Sequence, residues 1–271
     1  MKTNRKSLSI FLLLLLVLTT ACSWPQKIVG LFVDEYSPSE AWQGEVDRLI
    51  DITRDRELPP ELLDPTLESD NTLFNASHLL LYMDHLSLRE GFTLDFVYVL
   101  DANSGYPILY AHGENEASFE NYAAYRAVCD VANPPETCDY LNFVEGDGTE
   151  AGYFQFVLLG MMSDQFYLYG EAQNNEVEVV ADTIRIEGLA DSVLSTRDNT
   201  LAGWKLARQI RKVDPAPIVT IEDEQVTVEV TWFTPASGLY RTVTVLTEDA
   251  PYQILSKGTE QLVAFELNVT P

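Results

Sequence analysis

Three histidines occur in the chain, and two of them fall in "SHLLLYMDHLSLRE". Helical spacing there puts His78, Tyr82, His85 and Arg89 within about 60° of one another on an otherwise apolar helix. Such a stripe invites an acid/base or metal site, with His112 and Glu114 to complete it. His78 and His85 would stand about 10.5 Å apart along the helix axis, too far to share one ion readily. The stripe therefore reads as buried polar groups satisfied by neighbouring strands, and neither a metal nor a cofactor is expected. Asp101 and Asn103 of "DANSG" have the offsets of a calcium loop, but the glycine comes one residue early and no distal Glu follows in register. A hairpin turn is the better reading. Glu145, Asp147 and Glu150 in "VEGDGTEAG" would hold calcium weakly and read first as a solvated loop.

Motifs with recognisable mechanics are absent: no GxSxG, HExxH, Walker loop or GxGxxG. Two facing carboxylates for hydrolysis could come from any of 42 acidic residues, so an acidic hydrolase stays only as an alternative. Cationic residues are more informative because they are few: 17 Lys and Arg against 42 Asp and Glu, a net charge of −25. That balance disfavours nucleic acid as a partner. Within it, "NTLAGWKLARQIRKV" gathers Lys205, Arg208 and Lys212 on one helix face, with Ala202, Leu206 and Ile210 opposite and Trp204 at the border beside Arg211. Arg197 lies just before it. This face reads as a solvated surface helix with basic residues near its dipole's negative end, or as a patch for anionic lipid headgroups or an acidic partner.

At the N-terminus, Lys2, Arg5 and Lys6 precede an apolar run from Leu8 to Leu18 and the small residues Thr19, Thr20 and Ala21, a secretory signal layout too short to span a bilayer. "TTAC" resembles the lipobox of bacterial lipoproteins, with Thr19 where Leu is usual in that family. The resemblance covers the first 22 residues and implies a mature chain that begins at Cys22, fatty-acylated there and anchored to a bacterial membrane. An ordinary signal peptidase cutting after Ala21 would suit the same residues, and either cut leaves an extracytoplasmic protein. Removing residues 1–21 leaves 14 basic residues against 42 acidic ones, a net charge of −28.

If Cys22 carries lipid, Cys129 and Cys138 form an even pair. "DVANPPET" between them is a short polar loop stiffened by Pro134 and Pro135, and an oxidising compartment favours its closure as a disulfide.

The elements that must position these residues follow from periodicity. Helices are expected over "SPSEAWQGEVDRLIDITRDREL" with Ser39 as cap, over "ASHLLLYMDHLSLRE", over "ASFENYAAYRAV" and over 199–213. A hairpin is expected around "DANSG". Strands are expected at "GYFQFVLLGMM", "QFYLYGEA", "EVEVVAD" and "TIRIEGL", then at "PIVTIED", "QVTVEVTWF", "GLYRTVTVL", "YQILS" and "QLVAFELNV". The order implies an α+β fold, antiparallel sheets with helices packed on one face. The organisation read from it is a signal peptide over 1–21, a short tether over 22–38 and one extracytoplasmic domain over 39–271, with a sub-boundary near 214–217. The function that fits is a non-enzymatic binding or assembly module of the cell envelope, held to the membrane by its lipid and contacting an envelope protein or an apolar ligand.

Overall fold

The computed structural model describes residues 38–54, 57–63 and 73–267. The expected signal segment, Cys22 and nearly all of the expected tether lie outside the described residues. Helix α1 (Pro38–Thr53) opens the fold and buries Val46, Leu49 and Ile52 at helical spacing. A 3-10 helix (Ala76–Tyr82) follows, capped by the Asn75 side chain, which accepts from the Ser77 N–H. Strand β1 (Leu86–Leu88) comes next. The single helix expected from 76 to 90 is thus two elements. Leu86-Ser87-Leu88 alternates with period two, and that signal outweighs the helical one once β1 finds a partner strand.

The hairpin forms where expected, from β2 (Phe92–Leu100) and β3 (Ser104–Gly113). Asp101 closes it, its Oδ1 accepting from the Asn103 and Ser104 N–H groups. Helix α2 (Tyr122–Cys129) and β4 (Val144–Gly146) lead into α3 (Glu150–Met162). "GYFQFVLLGMM" is therefore a helix, not a strand. All of Gly152–Leu159 is buried, so the segment shows no amphipathic stripe, and β-forming residue types outvote periodicity when periodicity is silent. Thr149 starts it, its side chain accepting from Gly152 N–H.

Beyond β5 (Tyr169–Gly170), α4 (Glu171–Asn174) and β6 (Glu178–Val180) comes α5 (Thr183–Thr196). "QFYLYGEA" thus contributes only a two-residue strand, and "TIRIEGL" opens a helix. Buried Ile186, Leu189, Ala190, Val193 and Leu194 follow helical spacing, and the apparent strand alternation came from Ile184, which is exposed. Helix α6 (Leu201–Ile210) packs against α5. The chain ends in β7 (Ile218–Glu222), β8 (Gln225–Thr234), β9 (Gly238–Thr247) and β10 (Ile254–Val263), the last joining two segments read separately from sequence.

All ladders are antiparallel, giving an α+β fold. Strand β1 pairs with β4, β3 lies between β2 and β5, and the largest sheet runs β10-β9-β8, with β6 and β7 sharing the free edge of β8. Val226, Val228 and Val230 of β8 face a core built with α1, α3 and the β2–β3 hairpin. Phe233 and Leu239, on the opposite face, meet α5 and α6 in a second core that includes Ala207, Ile210 and Val263. That second core draws on both sides of residues 214–217.

Candidate functional site

Helix α6 is the element whose surface best matches a function. Two left-handed residues, Asp198 (φ 51°) and Asn199 (φ 54°), turn the chain out of α5, residue types that tolerate this region. Thr200 then caps α6, its hydroxyl accepting from Gly203 N–H at 3.2 Å. Gly203, Ala207 and Ile210 form the buried stripe, with Leu206 half-buried and Ala202 exposed. This corrects the expected Ala202–Leu206–Ile210 face by a rotation toward the smaller residues. A Cβ on Gly203 would stand 3.2 Å from the Arg197 Cβ, so close approach to the preceding turn selects glycine and alanine over side-chain hydrophobicity.

The outward face follows from that rotation. Leu201 (73% exposed), Lys205, Arg208 and Lys212 share it, and the exposed Trp204 (53%) stands at its border, next to Arg211 around the helix. Arg211 points elsewhere: its guanidinium binds Glu187 and Asp191 of α5, which pushes its already high pKa further up through the Glu187 hydrogen bond. Lys205, Arg208 and Lys212 have no carboxylate partner among the described residues. The result is a local positive island with two exposed apolar side chains on a strongly acidic protein. Arg197 is exposed beside the turn that precedes the helix.

The histidine stripe does not assemble. His78 and Tyr82 are exposed on the 3-10 helix, while Arg89 bonds Glu145 and the Asn142 carbonyl and lies over Phe143. His112 donates through Nδ1 to the Gly113 carbonyl and has Nε2 3.7 Å from Asp95, and Glu114 is exposed. The β1–β4 pairing instead joins His85 to Asp147, which sequence spacing could not reveal because they are 62 positions apart. The His85 Nδ1–H donates to Asp147 Oδ2 at 2.7 Å, and the Thr149 hydroxyl donates to Oδ1 at 2.6 Å. Nε2 of His85 has no partner among the described residues. The three acidic residues of the glycine-rich loop face different partners: Glu145 meets Arg89, Asp147 meets His85, and Glu150 begins α3. Among the described residues no group of three or more His, Cys, Asp or Glu could hold a metal ion.

Cys129 and Cys138 are bonded, with Cα atoms 5.6 Å apart, and the bridge ties the end of α2 to a short 3-10 helix (Glu136–Cys138). No helix among the described residues is long and apolar enough to cross a membrane. Comparison with known protein families, with curated proteins and with solved structures finds no match to this chain.

Proposed function

We propose that this is a lipid-anchored extracytoplasmic lipoprotein acting as a non-enzymatic binding or assembly module of the cell envelope. In this reading an acylated Cys22 tethers it, and the outward face of α6 rests on an anionic surface. One observation carries the proposal: Leu201 and Trp204 are exposed beside the unpaired Lys205, Arg208 and Lys212 on a chain of net charge −25. Amphipathic aromatic and basic side chains together favour the headgroup region, where each basic residue contributes about 1 kcal/mol. The Cys129–Cys138 bridge supports an oxidising address.

The direct experiment uses the mature chain with Cys22→Ala, so that acylation does not mask weaker contacts. It should bind phosphatidylglycerol-containing vesicles at low salt, bind less as salt rises, and bind phosphatidylcholine vesicles weakly. Replacing Lys205, Arg208 and Lys212 together with Gln should weaken binding about 100-fold on the basis of roughly 1 kcal/mol per residue. Undetectable binding of the unsubstituted face at low salt ends this reading.

A second reading, an envelope hydrolase, draws on the Asp147–His85 pair, which fixes the ring and leaves Nε2 as a base. Turnover of an envelope glycan or ester that disappears in His85→Asn, with the fold retained, would favour it.

A further inference from the structure

A groove of about 350 Å3 opens between the start of β3, the end of α3 and the segment that follows α4. Its position follows from the loop after α3, which returns to the hairpin through the β3–β5 pairing and is pinned there. Gln165 donates to the Met161 carbonyl at 2.9 Å and accepts from the Val177 N–H at 2.8 Å. The Tyr98 hydroxyl donates to the Tyr167 carbonyl, and the Tyr167 hydroxyl to the Leu73 carbonyl. Tyr167 is itself held in the left-handed region (φ 57°) while almost fully buried. Gly170 (φ 59°) closes the loop where a Cβ would stand 1.9 Å from the Asn103 carbonyl oxygen. Backbone strain persists only where the surroundings over-determine it, so the groove is preformed and its shape costs little on binding.

The lining has two characters. Met161, Leu168 and Val177 give it an apolar wall, while Ser104, Tyr106 and Asp164 bring polar groups to the same space. Glu176 also reaches it but is held by Arg54, which bridges it to Glu178. Asp164 has no such partner: among the described residues its carboxylate meets only its own backbone N–H. Water reaches it through the mouth of the groove, yet the surrounding protein desolvates it and pushes the carboxyl above the usual range. An anion left unpaired beside an apolar wall is complementary to a cation that carries an apolar body.

We propose that this groove binds a small organic ammonium compound, its charged nitrogen on the Asp164 carboxylate and its apolar body against Met161, Leu168 and Val177. The volume sits at the small end of ligand sites, suiting a compact amine. The site is separate from α6 and stands or falls without the membrane reading. A bound cation favours the ionised carboxylate, so affinity rises with pH through the titration of Asp164.

The test compares two probes of equal size and opposite charge, phenethylamine and phenylacetate, on the full mature chain. Phenethylamine should bind with a millimolar or tighter Kd and shift the 13C-methyl resonance of Met161, and phenylacetate should do neither. Asp164→Asn should weaken the amine at least tenfold with an unchanged circular dichroism spectrum, while the three-Gln variant of α6 should bind it as before. The Met161 resonance and the pH dependence are read on unsubstituted protein, so they decide the matter even if Asp164→Asn misfolds. Equal binding of both probes, no response to 10 mM amine, or full affinity in a folded Asp164→Asn protein overturns the proposal.

Discussion

Partial burial pushes the Asp147 carboxyl up, but the Thr149 hydroxyl, the His85 ring and the Thr149 N–H all favour its ionised form, and the net value is lowered to about 2. A carboxyl depressed in the fold stabilises the protein above its unfolded value of about 3.9, and that contribution disappears as pH falls through the folded value. Asp147→Asn should therefore cost stability at pH 5 and above, with the penalty shrinking below about pH 4 and gone near pH 2. Because Asp147 is exposed, solvent screening keeps the cost under about 1 kcal/mol. Urea titrations of both proteins across this range measure it, and a penalty that grows on acidification contradicts the assignment. Gly170 offers a second test at this scale. Gly170→Ala puts a Cβ into the Asn103 carbonyl at a positive φ, and should lose about 2 kcal/mol or more. None of these contacts was legible in sequence. His85 and Asp147 meet only because β1 pairs with β4, and nothing in "VEGDG" names the partner strand.

Among the elements, those with a clear period were readable and those without one were not. α1, the β2–β3 hairpin, α6, β8 and β9 carry a clear apolar pattern and formed close to their expected bounds, whereas β10, exposed along most of its length, runs through two segments expected as separate strands. α3 is apolar all round, so only its length and its Thr149 cap distinguished a buried helix from a strand. At its centre Phe154 is fully buried against Trp42, ring centroids 4.6 Å apart. Phe154→Ala should cost about 3–5 kcal/mol by thermal or urea unfolding, whereas a loss below about 1 kcal/mol would mean that α3 is not the centre of the core. The face of α6 makes the contrasting case: changing Lys205, Arg208 and Lys212 to Gln should leave stability within about 0.5 kcal/mol per site, because these side chains are exposed and unpaired. The disulfide belongs to this scale too. Its closed loop is short, and replacing Cys129 and Cys138 with Ser should cost about 2–3 kcal/mol. Non-reducing peptide maps should recover the two flanking peptides linked.

For the whole molecule, the class of fold and the charge were legible, and the ligand chemistry was not. An antiparallel α+β organisation follows from helices and hairpins in alternation, and a net charge of −25 is a count. The groove beside Asp164 has no linear signature, since its lining comes from β3, the end of α3 and the segment after α4. The proposed address in the envelope rests on the first 22 residues, on the lipobox-like "TTAC" and on a disulfide that suits an oxidising compartment. Intact mass spectrometry of the membrane fraction tests that address most directly. The account predicts a chain beginning at Cys22 whose mass exceeds the polypeptide by a diacylglyceryl group, with or without an N-acyl chain. A protein released in soluble form with Cys22 unmodified, or starting at any other residue, would contradict it.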